Sequence, residues 1–120
     1  MQYLTLLSTF AVIQGALAGG VSVFTGPNCT GKQTNVHFDS NSIVPSIPAF
    51  ESYRENGYGA HGQRIQFWTQ PGTGQQCGGE YLYDTWAYGG DYFQSRTCYD
   101  VGAHPDSRWL KARCIKTVAA

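Results

Sequence analysis

Residues 24–31, Phe24-Thr25-Gly26-Pro27-Asn28-Cys29-Thr30-Gly31 (FTGPNCTG), begin as a strand and end as a turn. Gly26, Pro27 and Asn28 are turn residues for separate reasons. Glycine accepts positive φ, proline presets a turn-compatible φ, and asparagine tolerates the left-handed region. Just upstream, Val21 and Val23 alternate with Ser22. Such alternation puts apolar side chains on one face of a half-buried strand. The same grammar recurs along the chain. Val36 and Phe38 alternate with His37 and Asp39, and Ile65 and Phe67 with Gln66. Leu110, Ala112 and Cys114 alternate with Trp109, Lys111 and Arg113. Turn signals separate these runs at Asn56-Gly57, Gly72 to Gly74, Gly78-Gly79 and Gly89-Gly90-Asp91. No long apolar stripe at helical spacing exists, so the chain reads as an all-β domain of roughly seven or eight strands. Glu80 to Tyr88 and Tyr92 to Tyr99 read as a Tyr-rich hairpin joined at Gly89-Gly90. Ile43 to Phe50, with two prolines, reads as an extended loop.

Residues 1–18 read as a secretory signal peptide. Leu4 to Leu17 is largely apolar, and Ala16-Leu17-Ala18 is a small-x-small cleavage site followed by Gly19-Gly20. The run is shorter than the roughly 20 apolar residues that span a bilayer, and no second run follows, so no transmembrane segment is expected. The expectation is one secreted extracellular domain at residues 19–120, acting as a monomer. Secretion governs the cysteines. Cys29, Cys77, Cys98 and Cys114 should form two disulfides in an oxidising compartment. Zinc is disfavoured because no Cys-x-x-Cys exists and His37, His61 and His104 are scattered. Four cysteines allow three pairings, and spacing does not choose among them.

Eight basic and eight acidic residues give a net charge of zero, without the electrostatic footprint of a nucleic-acid binder. Arg108, Lys111, Arg113 and Lys116 form a local basic excess, read either as an anion-facing patch or as a solvated strand face. Asn28-Cys29-Thr30 is a sequon, making Asn28 a candidate glycan acceptor, with oxidation of Cys29 competing for access. A phosphate cradle there is disfavoured because Pro27 has no N–H. Glu51, Arg54, Glu55, His61 and Arg64 are the one dense group of types that a small hydrolase or nuclease needs. Their spacing matches no catalytic motif and no Gly-x-Ser-x-Gly occurs, so no catalytic residue is assigned.

Aromatic residues carry more. Trp68, Trp86 and Trp109 with Tyr81, Tyr83, Tyr88 and Tyr92 are a large inventory for a small domain. Their flat faces can stack on sugars while their polar tips bond water or hydroxyls. Alternation places Trp68 opposite Ile65 and Phe67, and Trp109, Lys111 and Arg113 opposite Leu110, Ala112 and Cys114. Trp68, Trp109, Lys111, Arg113 and Tyr88 are therefore the candidate binding residues.

A faint internal echo relates Val23–Pro27 to Phe67–Pro71 at an offset of 44 residues, a length suited to a four-stranded Greek-key unit. FTGPNCTGK resembles the opening of a βγ-crystallin motif, with Phe24, Cys29 and Gly31 at the aromatic, second aromatic and glycine places. Residues 106–115, DSRWLKARCI, resemble its closing strand. The pair of features is similar to that of fungal small secreted cysteine-containing proteins with crystallin-like folds, a group that includes killer-toxin-like antimicrobials. The resemblance departs at the second motif, where the turn is longer and the middle is Tyr-rich. It implies a Greek-key β-sandwich whose first and last strands lie together. By that implication Cys29 pairs with Cys114, and Cys77 with Cys98 clamps the Tyr-rich hairpin. It also implies a calcium site, for which Asp39-Ser40-Asn41-Ser42 has suitable oxygens in the wrong order, so no metal or cofactor is assigned. The implied role is a non-enzymatic fungal effector or antimicrobial acting on another organism's cell surface. A carbohydrate-binding module for cell-wall polysaccharide is the alternative, and a secreted hydrolase or nuclease the third reading.

Overall fold

The computed structural model describes residues 19–74, 76–107 and 110–119. The 1–18 segment and Trp109 lie outside the described residues. Eight strands follow in chain order: β1 (Gly19–Phe24), β2 (Gln33–Phe38), β3 (Ser42–Val44), β4 (Ser52–Glu55), β5 (Arg64–Thr73), β6 (Gln76–Trp86), β7 (Cys98–Asp100) and β8 (Cys114–Val118). A 3-10 turn at Val101–Ala103 is the only helical element among the described residues. All pairings are antiparallel and make two four-stranded sheets, ordered β2-β1-β4-β7 and β3-β8-β5-β6. The all-β expectation holds.

The alternating apolar residues build the interior, as the period-two pattern requires. Val21, Val23, Val36, Phe38 and Tyr53 face inward from the first sheet; Ile65, Phe67, Tyr83 and Ile115 meet them from the second. The centre is aromatic. Tyr53 stacks on Phe67 at 4.8 Å, and Phe67 lies 5.0 Å from Tyr83. The two buried phenols also bond each other, Tyr53 Oη to Tyr83 Oη at 2.8 Å. Tyr53 donates its single proton to the Tyr92 carbonyl at 2.9 Å, so Tyr83 is the donor in the phenol pair. Satisfying both hydroxyls removes the cost of burying them.

The strand order has a regularity. Adding four to each label of the first sheet, counting around eight strands, produces the second. Each sheet thus holds three strands from one half of the chain and the third strand of the other half. The echoed segments fit this relation: Val23–Pro27 ends β1, and Phe67–Pro71 lies within β5, the equivalent strand.

Exchange of β3 and β7 corrects two expectations. The Tyr-rich hairpin does not form. Instead β6 pairs with β5 through a turn at Gly74, where φ is 60°. Gly89 does turn the chain, with φ of 70°, but the next strand, β7, crosses to pair with β4. Tyr92 N–H bonds Thr85 Oγ1 at 3.3 Å instead of joining a ladder.

The disulfides are Cys29–Cys98 and Cys77–Cys114, not Cys29–Cys114 and Cys77–Cys98. Their Cα separations of 6.0 and 5.7 Å are those that a bridge requires. Crossing of β7 sets Cys98 opposite Arg54 on β4. That position is beside the turn after β1, where Cys29 N–H bonds Ser52 Oγ at 2.8 Å. Cys114 on β8 lies opposite Trp68 on β5, whose hairpin carries Cys77. A smaller correction concerns Ile43–Phe50: Ile43 and Val44 enter β3, and the extended loop begins at Pro45.

Candidate functional site

The outer face of the second sheet is organised by one irregularity. From Arg64↔Trp86 to Phe67↔Tyr83 the β5–β6 register advances one residue per strand; the next pair is Trp68↔Tyr81. Leu82 is the extra residue of a β-bulge. Leu82 and Tyr83 both turn inward, each only 2% exposed. Simple alternation from Trp86 and Asp84 would put Leu82 outward and Tyr81 inward. The bulge resets it, so Tyr81 shares the outer face with Asp84 and Trp86.

The result is a continuous stripe. The Arg64 guanidinium lies over the Trp86 ring, 4.0 Å from its centroid, a cation–π contact. Arg64 Nε donates to Asp84 Oδ2 at 2.8 Å, and Arg64 Nη2 to Asp84 Oδ1, a bidentate ion pair. Hydrogen bonding from Arg64 holds the Asp84 carboxyl below its ordinary range, and the same bond holds the Arg64 guanidinium up. Burial and then the Asp84 charge push the Tyr81 phenol up. Tyr81 tilts over Trp68 with ring centres 5.4 Å apart, and Trp68 Nε1 donates to Gln66 Oε1 at 3.4 Å. Tyr81 is 47%, Trp86 47% and Tyr88 48% exposed; they are the exposed large apolar side chains among the described residues. Tyr81 and Trp86 stand on this face on either side of Asp84, unlike the single scattered apolar residues of an ordinary surface.

The predicted site residues do not gather in one place. Trp68 lies on this face, partly covered by Tyr81. Tyr88 lies past the other end of β6, against His61 at 3.8 Å and Tyr58 at 5.1 Å. Lys111 pairs with Glu51 at 3.4 Å. Arg113 lines a shallow groove with Lys111, Leu110, Thr69 and Gln70, and its backbone N–H bonds the Trp68 carbonyl at 2.8 Å. Tyr81 and Trp86 belong to the aromatic inventory but not to the candidate binding residues, and Arg64 belongs to the group with hydrolase-type side chains. Asp84 carried no signal of its own.

The hydrolase group is dispersed. Glu51 serves Lys111, and the Arg54 guanidinium sits 5.4 Å from the Phe24 centroid. Glu55 Oε2 accepts the Gly57 N–H at 2.6 Å, His61 contacts Tyr88, and Arg64 holds Asp84. The sequon is a tight turn. Asn28 and Cys29 have φ of 55° and 57°, and Thr30 Oγ1 donates to the Pro27 carbonyl at 2.5 Å. Asn28 is exposed, with its backbone N–H bonded to Asp100 Oδ1 at 2.7 Å. In the Asp39 loop, the Asp39 carbonyl accepts bonds from Gln63 Nε2 and Thr117 Oγ1, both 2.8 Å, and Asn41 Oδ1 accepts the Ala119 N–H at 2.9 Å. These oxygens tie the loop to Gln63 and to β8. Among the described residues, no group of three or more His, Cys, Asp or Glu side chains is placed to hold a metal. Nor is any helix among them long and apolar enough to cross a membrane.

No family model, curated protein or solved structure matches the chain.

Proposed function

We propose that the protein is a secreted, non-catalytic effector that binds cell-wall polysaccharide outside the cell through the outer face of its second sheet. The observation that carries this reading is the row Trp86, Arg64, Asp84, Tyr81 and Trp68, in which half-exposed rings flank a hydrogen-bonding ion pair. Rings stack on the apolar C–H faces of sugars, and a carboxylate beside a guanidinium matches hydroxyls that both donate and accept. Rigid strands fix the spacing, so little ordering entropy opposes binding. Two disulfides support an extracellular setting. The exchanged third strands support a Greek-key, crystallin-like sandwich. In a killer-toxin-like role, this face would hold the protein on a target cell's wall, working by attachment and not by turnover.

The test is depletion of the oxidised protein, residues 19–120, by insoluble chitin, cellulose and β-glucan. At least one polymer should remove it, with soluble oligosaccharide restoring it to solution. Tyr81→Ala and Trp68→Ala should each weaken binding about tenfold, the effect of losing one ring contact of about 1.4 kcal/mol. An intact protein that stays in solution over all three polymers overturns the reading.

A further inference from the structure

At the Trp86 end of the stripe the flat face runs into a cleft. Its walls are Arg64, Asp84, Thr85 and Trp86 from the sheet, Asp91 and Tyr92 from the chain that leaves it, and His104 from just after the 3-10 turn that follows β7. We infer that this cleft is a subsite for one neutral sugar ring, the terminal unit of a chain lying along Trp86, Tyr81 and Trp68. The inference rests on the polysaccharide reading above and names the part of the ligand that sets its direction on the face.

Size is the first argument. The cavity volume is about 230 Å³, below the roughly 300–1,000 Å³ of sites for drug-sized ligands. That space accommodates a single ring. Rigidity is the second. The His104 imidazole lies parallel to the Tyr83 ring, 4.0 Å away at 3°, and 4.6 Å from the Tyr92 ring. Tyr83 is buried in the core, and the Tyr92 carbonyl is held by Tyr53 Oη. The wall is thus fixed by the interior before any ligand arrives.

Chemistry is the third. Asp106 N–H donates to His104 Nδ1 at 3.0 Å. In the neutral imidazole the proton therefore sits on Nε2, which becomes a donor. The cleft offers donors in His104 Nε2 and the Arg64 guanidinium, acceptors in Asp84 and Asp91, and an aromatic side wall in Trp86. Adjacent hydroxyls of a pyranose need this alternation, since each both donates and accepts. Charge decides the class. Two carboxylates face one guanidinium, and that guanidinium is already committed to Asp84. A sugar acid or phosphate would meet net negative charge, whereas a neutral sugar meets only hydrogen-bonding groups.

The test is ¹H–¹⁵N NMR of the oxidised protein, residues 19–120, titrated with glucose, mannose, N-acetylglucosamine and, as the acidic control, glucuronate. At least one neutral sugar should give saturable shifts at the Trp86 indole N–H and at His104. Asp91→Ala, at an exposed turn position, should weaken that titration about tenfold, as expected for loss of one charged hydrogen bond. If that variant fails to fold, the location of the shifts in the unaltered protein still decides. Glucuronate binding as tightly as the neutral sugars overturns the ligand class. Depletion by polymer without any shift at Trp86 or His104 overturns the subsite and leaves the broader reading intact. Shifts in the cleft without depletion by any polymer sink the polysaccharide reading and, with it, the chain-end role, leaving a site for a single free sugar.

Discussion

Replacing Cys29 and Cys98 together by serine should lower the unfolding free energy by about 4 kcal/mol. The bridge closes a loop of sequence separation 69, against 37 for Cys77–Cys114. Cross-linking the longer loop removes more freedom from the unfolded chain, although the difference between the two is only about 0.6 kcal/mol. Position adds to length. Cys29–Cys98 ties the turn after β1 to β7, the strand that crosses from one half of the chain to the other half's sheet. β7 spans Cys98–Asp100 and has β4 as its one ladder partner, so the bridge joins the packing of Tyr99 and the Asn28–Asp100 hydrogen bond in holding it. A small domain has a net stability of about 5–15 kcal/mol, and losing one bridge should leave it close to unfolding at body temperature. Urea unfolding of the two double-serine variants measures the effect. A loss below about 1 kcal/mol in both would refute the chain-entropy account. Peptide mapping without reduction should recover Cys29 linked to Cys98. Recovery of Cys29 linked to Cys114 would refute the crossing of β7 itself.

The second large effect is alkaline. Stability should fall steeply once the pH rises past about 10, the ordinary phenol value. Burial is the main reason that Tyr53 and Tyr83 resist ionisation in the folded protein; the Tyr83 phenol adds to it for Tyr53, whereas the bond with Tyr53 partly offsets it for Tyr83. Both folded-state pKa values are thus raised above the unfolded ones. The stabilisation they give is complete below the unfolded pKa. Above it the unfolded chain releases protons that the folded protein retains, and stability drops by about 1.4 kcal/mol per pH unit for each phenol. Tyr83→Phe should remove that phenol's share of the dependence. Tyr53→Phe should do the same and also leave the Tyr92 carbonyl without its donor, at a cost of about 1–3 kcal/mol at neutral pH. Urea midpoints collected through the alkaline range measure both quantities. A midpoint that stays level to a full unit above the phenol value would show that water reaches the pair.

Trp68 shows how far alternation reads. Ile65, Gln66, Phe67 and Trp68 alternate without interruption, and Trp68 lies on the side away from the core, as that pattern requires. Tyr81 and Tyr83 show where it stops. Two residues apart on one strand, they should share a face, yet one is half exposed and the other buried. The bulge between them depends on whether Leu82 finds a place in the core. That place lies in a core drawn from several strands, so no residue near Leu82 announces it. The candidate site was legible as an aromatic inventory; its assembly around Arg64 and Asp84 was not.

By itself the sequence determined the kind of structure: short strands with one apolar face, separated by turns at glycine, proline and asparagine, with cysteines even in number. These are local properties, set by φ preferences and by the two-residue repeat of a strand. Tertiary structure decided which strands are neighbours. An apolar face is satisfied by any apolar partner, so the pattern that built β3 and β7 could not say that each crosses to the other half's sheet. That crossing brought Cys98 to Cys29 and left Cys114 for Cys77. Only the packed core, where volumes and hydrogen bonds must close together, chooses among the arrangements that local alternation permits.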